Sequence, residues 1–241
     1  MTGLEYIRPL QMTGHLGSMA ETHIIGSAET IEVRKIFCIG RNYGDHAKEM
    51  NADIPEAPVF FLKPSTAIIG EAGVIRIPSI SKELHHEVEM TVLLGRGGKD
   101  ISRGNALNLV AGYGIGLDMT LRDVQNDAKK KGLPWTLAKG FDTSAPLSAF
   151  VAAEQVPDPH DLDLKLNVNG ITRQQSNTKN FLFKIDELIA YISRFFTFER
   201  GDIIFTGTPE GVAPAASGDQ LEAQLFSPKQ AVLVSLHVSV Q

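Results

Sequence analysis

Short apolar runs separated by glycine, proline or charged residues set the rhythm of the chain from residue 34 onward. The runs at 34–40, 58–63, 86–94 and 110–118 have strand length and predict strands. In LDLKLNVNGITRQQ, Leu162, Leu164, Leu166 and Val168 alternate with polar residues, and Asn169-Gly170 supplies a tight turn, so the segment predicts a hairpin. Residues 201–206 and 221–240 return to strand patterns. Helical spacing is rarer. Ile185, Leu188, Ile189 and Ile192 form one stripe of a helix over 185–196. A second helix is expected over 120–131, with Thr120 as cap, Asp123 in the first turn and Gly132 at the end. A short third one is expected over 43–50, capped by Asn42. Strands that outnumber helices and do not alternate with them one for one predict a mixed, β-rich α+β fold. Its sheet would curl into a roll or sandwich with a few peripheral helices. Residues 1–33 read as an N-terminal extension and 34–241 as one domain.

Composition narrows the setting. A chain of 241 residues with 43% hydrophobic content fits one large domain with an ordinary core. No apolar run approaches the roughly 20 residues of a membrane-spanning helix, so no membrane partner is expected. The net charge of −5 argues against nucleic-acid binding, which rests on a basic field. Cys38 is the only cysteine, which forbids an intrachain disulfide and makes the reducing cytoplasm the expected compartment. Its setting in KIFCIG reads as a buried structural thiol.

Candidate chemistry concentrates in HHEVEMTVLLG. On a strand, Glu87 and Glu89 share one face, while Val88, Met90 and Val92 share the other. Paired carboxylates repel unless a cation lies between them, and hard divalent cations prefer oxygen ligands. Alone, the pair reads first as a solvated strand face rather than a metal site. Asp118 adds a third carboxylate at the end of the apolar run VAGYGIGLD. Three oxygen ligands leave room for water and substrate, as Mg²⁺ prefers. Arg122 and Gln125 follow on the predicted helix, and Lys139 sits in WTLAKG; an arginine can clamp a carboxylate and a lysine can steady an enolate. Lys129, Lys130 and Lys131 read as a solvated basic face. His46 and Glu49, three residues apart on the short helix, can meet as a base and its orienting carboxylate, or stand as an exposed pair. FTGTPEGV is a turn through which backbone amides and a threonine hydroxyl can approach a carboxylate. Neither a phosphate loop, a dinucleotide fingerprint nor a nucleophile elbow is present.

Together GRNYGDHAKEM (40–50), FLKPSTA (61–67), HHEVE (85–89), LDMTLRDVQNDAKKKGLPWTLAKGFDTSAP (117–146) and GDIIFTGTPEGV (201–212) resemble the fumarylacetoacetate hydrolase family in order and spacing. The resemblance is to its short, single-domain acylpyruvase and fumarylpyruvate hydrolase members. It implies a mixed β-roll, usually dimeric, with Mg²⁺ or Mn²⁺ on Glu87, Glu89 and Asp118. It implies that Arg41, Arg122 and Gln125 approach a small 2-oxo acid substrate and that Gly207 and Thr208 receive its carboxylate. Lys139 would lie beside the metal, and His46 with Glu49 would activate water. The expected reaction is hydrolysis of an acylpyruvate to pyruvate and a carboxylic acid. Oxaloacetate decarboxylation or tautomerisation, and isomerisation of a 2-hydroxyhepta-2,4-diene-1,7-dioate, are alternatives through related enolates; a catalytically silent binding protein is the remaining one.

Overall fold

The computed structural model describes residues 20–44, 49 and 55–241. Two sheets carry the molecule. The larger has six strands in the order Val151–Ala152, Val110–Leu117, Val88–Leu94, Ile203–Phe205, Ile36–Gly40 and Val59–Lys63. Its pairs are antiparallel except that Ile203–Phe205 runs parallel to Ile36–Gly40. The second has five strands in the order Ile171–Asn177, Asp163–Val168, Gln220–Phe226, Val232–Val240 and Val74–Ile75. A mixed, β-rich α+β fold results, with short helices at its margin.

The central strand Val88–Leu94 is buried along its whole length, so both its faces meet protein. Val88, Met90 and Val92 pack with Leu164, Leu166, Leu221, Ala223 and Leu236 of the second sheet in the main core. Leu93, on the opposite face, joins Ile36, Cys38, Phe150 and Phe205 in a smaller core. Burial, with Asp118 nearby, pushes the Cys38 thiol well above its ordinary range, which suits a packed, inert cysteine. Ile31 and Val33 enter this smaller core from a hairpin of Glu21–His23 and Thr30–Glu32. The strand Val110–Leu117 can lie flush beside its neighbours because of its glycines: a Cβ on Gly116 would stand 2.6 Å from the Phe205 ring.

The hairpin forms with Asn169 and Gly170 both at positive φ, 52° and 76°, as a tight turn matched to strand twist requires. The helix Ile185–Ser193 buries Ile185, Leu188, Ile189 and Ile192, the expected stripe, and stops short of 196. Two expectations change. The run 86–94 is interrupted at Glu87, between strands Leu84–His86 and Val88–Leu94. The second helix starts at Arg122, not near Thr120, because Thr120 and Leu121 pair with His85 and Leu84 in a small sheet. Thr120 therefore does not cap it; its hydroxyl donates to the Asp118 carbonyl at 3.1 Å. Gly132, at φ 65°, ends the helix as expected. The helix expected over 43–50 lies largely outside the described residues. Asn42 there takes another role: its Oδ1 accepts from Phe183 N–H at 2.7 Å, and its Nδ2 donates to the carbonyls of Phe183 and Thr206.

Candidate active site and metal centre

Strand register brings the three carboxylates together. Val88 pairs with Leu117 and Glu89 with Gly116, and Asp118 N–H donates to the Glu87 carbonyl at 2.8 Å. Glu87 and Asp118, 31 positions apart in sequence, thus end on adjacent rungs. One oxygen from each of Glu87, Glu89 and Asp118 lies within 4.8 Å of the others, and all three residues are buried. Burial, followed by the charges of Asp118 and Glu87, holds the Glu89 carboxyl well above the usual carboxylate range, despite Lys139 and a hydrogen bond from Gly207 N–H. A divalent cation at this point would relieve that strain. The donors are all oxygen, and Asp118 Oδ1 accepts no hydrogen bond among the described residues, so the site fits a hard ion such as Mg²⁺ or Mn²⁺.

Cations surround the cluster. Lys139, on the short helix Thr136–Lys139, donates to Glu87 Oε2 at 2.8 Å and to Asp118 Oδ2 at 2.6 Å. Burial pulls its ammonium down, but Asp118 and Glu87 outweigh burial and hold it above its ordinary range, so it stays charged. Arg122 binds Glu87 through Nη2 and Gln125 Oε1 through Nη1, the latter at 2.7 Å. Gln125 is thereby held one turn along the same helix, facing the cluster.

Lys63 is the residue the sequence reading did not single out. It ends the edge strand Val59–Lys63, and its fully buried ammonium lies 2.9 Å from Asp118 Oδ1, out of line for a hydrogen bond. It donates to Ser144 Oγ at 3.1 Å and to the carbonyl of Lys139. The signal was available: a charged residue closing an apolar strand, VFFLK, follows the same logic that drew notice to Asp118. Lys129, Lys130 and Lys131 are exposed, the solvated face expected of them, though Lys129 also meets the site's charge. Burial and the charges of Arg122, Arg41 and Lys139 lower its ammonium, which lies 5.3 Å over the Trp135 ring. Arg41 itself is half-buried at φ 59°, next to the buried Asn42.

The TGTP turn is laced to the metal strand. Gly207 N–H donates to Glu89 Oε2 at 2.7 Å, and the Thr206 hydroxyl donates to the Met90 carbonyl at 2.8 Å. Gly207 holds φ 97°, and a Cβ there would stand 2.6 Å from Asn42 Cβ, so glycine is required. The Thr208 hydroxyl donates to the Val88 carbonyl at 2.9 Å. Among the described residues the Thr208 backbone N–H makes no hydrogen bond. The Glu49 carboxylate reaches the same turn, accepting from Gly211 N–H at 3.1 and 3.2 Å. His46, its expected partner, lies outside the described residues.

The chain is 50% identical to oxaloacetate tautomerase FAHD1, mitochondrial, of Homo sapiens over 208 residues, 86% of this chain and 92% of that protein. It is 49% identical to oxaloacetate tautomerase YcgM of Escherichia coli over 190 residues, 78% of this chain and 87% of the relative. Among solved structures, fumarylpyruvate hydrolase from Pseudomonas aeruginosa in complex with Mn²⁺ and pyruvate superposes with a TM-score of 0.86 at 36% identity, covering 95% of this chain and all of that one. These relatives correct the cytoplasmic expectation, because the mammalian ones are named as mitochondrial. A lone reduced thiol reports that no disulfide is made, and that does not distinguish one reducing compartment from another. No helix among the described residues is long and apolar enough to cross a membrane. The profile of the family described as fumarylacetoacetate (FAA) hydrolase C-terminal matches residues 35–239, and with the relatives above this establishes that the chain belongs to the fumarylacetoacetate hydrolase family.

Proposed function

We propose that this enzyme is a divalent-metal-dependent oxaloacetate tautomerase, interconverting the keto and enol forms of a 2-oxo dicarboxylate. The carrying observation is the charge of the site. Among the described residues the three cations Lys63, Lys139 and Arg122 already balance the three carboxylates, through ion pairs to Glu87 and Asp118. A bound divalent ion then leaves the pocket net positive, which favours a dianion such as oxaloacetate. The names of the human and E. coli relatives support the same reading.

The residues divide the work. A divalent ion held by Glu87, Glu89 and Asp118 would supply positive charge for the 2-oxygen as it gains negative charge. Lys139, kept protonated by its carboxylate neighbours, offers a hydrogen bond to that same oxygen. The Thr208 backbone N–H is the donor left for the substrate carboxylate, since Gly207 N–H serves Glu89 and the Thr208 hydroxyl serves Val88. Arg122 and Gln125 border the space beside Glu87, and Arg41 adds charge at the rim. His46 would take the proton from C3 and return it to the 2-oxygen. No attacking water is needed.

The test follows the enol absorbance of oxaloacetate with Mg²⁺ or Mn²⁺, with and without EDTA, alongside pyruvate release from acetylpyruvate and fumarylpyruvate. Metal-dependent loss of enol without pyruvate release is the expected result. Absence of any acceleration would sink the reading. Faster turnover of an acylpyruvate would instead move the assignment to the hydrolase reading, which the Mn²⁺–pyruvate complex of the Pseudomonas aeruginosa relative favours.

A further inference from the structure

Gln174 lies on the hairpin strand Ile171–Asn177, in the sheet opposite the metal ligands, and is 1% exposed. Its side-chain amide makes four hydrogen bonds. Oε1 accepts from Val88 N–H and stands against His86 Nδ1, both at 3.0 Å. Nε2 donates to the Thr208 hydroxyl at 2.9 Å and to the Pro209 carbonyl at 3.0 Å. The orientation of the amide is fixed by chemistry: Val88 N–H can only donate and the Pro209 carbonyl can only accept.

Two consequences follow. Since Oε1 is an acceptor, His86 must carry a proton on Nδ1; its Nε2 is buried and makes no hydrogen bond among the described residues. Since the Thr208 oxygen accepts from Gln174, its own proton goes to the Val88 carbonyl, and the hydroxyl is withdrawn as a donor to a substrate carboxylate. Val88 is the residue between Glu87 and Glu89. One amide therefore grips the backbone between two metal ligands and the turn that faces the substrate.

We propose that Gln174 is a positioning residue: it locks the strand bearing Glu87 and Glu89 to the Gly207–Pro209 turn, so that metal site and carboxylate site keep one spacing. It touches neither the ion nor the substrate. The substrate half of the proposal rests on the tautomerase reading, whereas the metal half does not.

The experiment has three readings. Nitrogen-15 NMR of the metal-free wild-type protein should show His86 as the Nδ1–H tautomer; an Nε2–H tautomer would overturn the hydrogen-bond assignment without any variant. In Q174M, which keeps side-chain length but loses the amide, Mn²⁺ affinity measured by calorimetry should fall several-fold and KM for oxaloacetate should rise about tenfold, the scale of one or two lost hydrogen bonds, with kcat changed less. In a T208V background, Q174M should add little further to KM, because the two changes break the same link. Wild-type Mn²⁺ affinity in a folded Q174M, or KM increments that simply multiply, would reduce Gln174 to an ordinary core amide. Should the wild type not act on oxaloacetate, the tautomerase reading fails by itself, while the tautomer and the Mn²⁺ affinity still decide the role of Gln174. Should Q174M not fold, the tautomer of the wild type decides.

Discussion

In the proposed reaction Lys139 would be both compensating and active. Its ammonium bridges Glu87 and Asp118, so it offsets the repulsion of the carboxylates, and it remains charged at neutral pH. Replacing it removes a cation from the metal's surroundings and a donor from the reacting oxygen. Lys139→Met should therefore lower kcat by roughly 100-fold or more, the scale of a lost oxyanion donor, while Mn²⁺ affinity is kept or increases. A parallel loss of Mn²⁺ binding, measured by calorimetry, would show that Lys139 serves the site's architecture alone. Glu89 gives the opposite case. Burial and its neighbours hold its carboxyl well above the usual range, so it is a liability until a cation arrives.

At the scale of elements, the helix Ile185–Ser193 depends on a neighbour for its first turn. Ile185 N–H donates to His160 Nε2 at 3.2 Å, which satisfies one of the orphan donors at a helix start. That bond requires an unprotonated Nε2. Burial, then the charge of Lys184, lowers the His160 pKa below its ordinary value, against Asp186 and Asp158 and with Arg103 adding to the effect. The unfolded chain therefore takes up the proton first as pH falls. Stability from this contact is complete above about pH 6.5 and is lost as pH drops through the lowered folded value. Thermal unfolding between pH 7.5 and 5 should show this loss, on the order of 1 kcal/mol for a missing cap, and His160→Gln should flatten that part of the profile. An unchanged slope in the variant would assign the pH dependence elsewhere.

At the scale of the whole molecule, binding of the proposed ion would be coupled to folding. The carboxylates come from the Glu87–Leu94 region and from the end of the neighbouring strand, so they exist as a set only when the large sheet is formed. Metal should accordingly stabilise the native state, by about 2.7 kcal/mol at a free concentration one hundred times its Kd. Differential scanning calorimetry with Mn²⁺ and with EDTA measures this directly. Glu89→Gln should unfold at the same or a higher temperature than wild type in EDTA, having lost a poorly solvated carboxylate, and should gain little from Mn²⁺. A full Mn²⁺ shift in that variant would remove Glu89 from the ligand set.

Periodicity in the sequence determined which segments are strands, because alternation and helical spacing are local properties read directly from apolar side chains. The Asn169-Gly170 hairpin and the Ile185–Ser193 stripe needed nothing else. The three carboxylates were legible for a related reason: each interrupts an apolar run where a charge is costly without a partner. Only the tertiary structure decided how far each polar group is already engaged. Thr120 looked like a cap until Leu84 and His85 claimed it for a sheet. Gly207 and Thr208 looked free for a ligand until Glu89 and Val88 took the amide of one and the hydroxyl of the other. Lys63 and Gln174 act across 55 or more and 86 or more positions of chain, through Asp118 and Val88. A hydrogen bond has direction and a length near 3 Å, so which donor meets which acceptor is settled by the packing of two sheets and has no period along the chain.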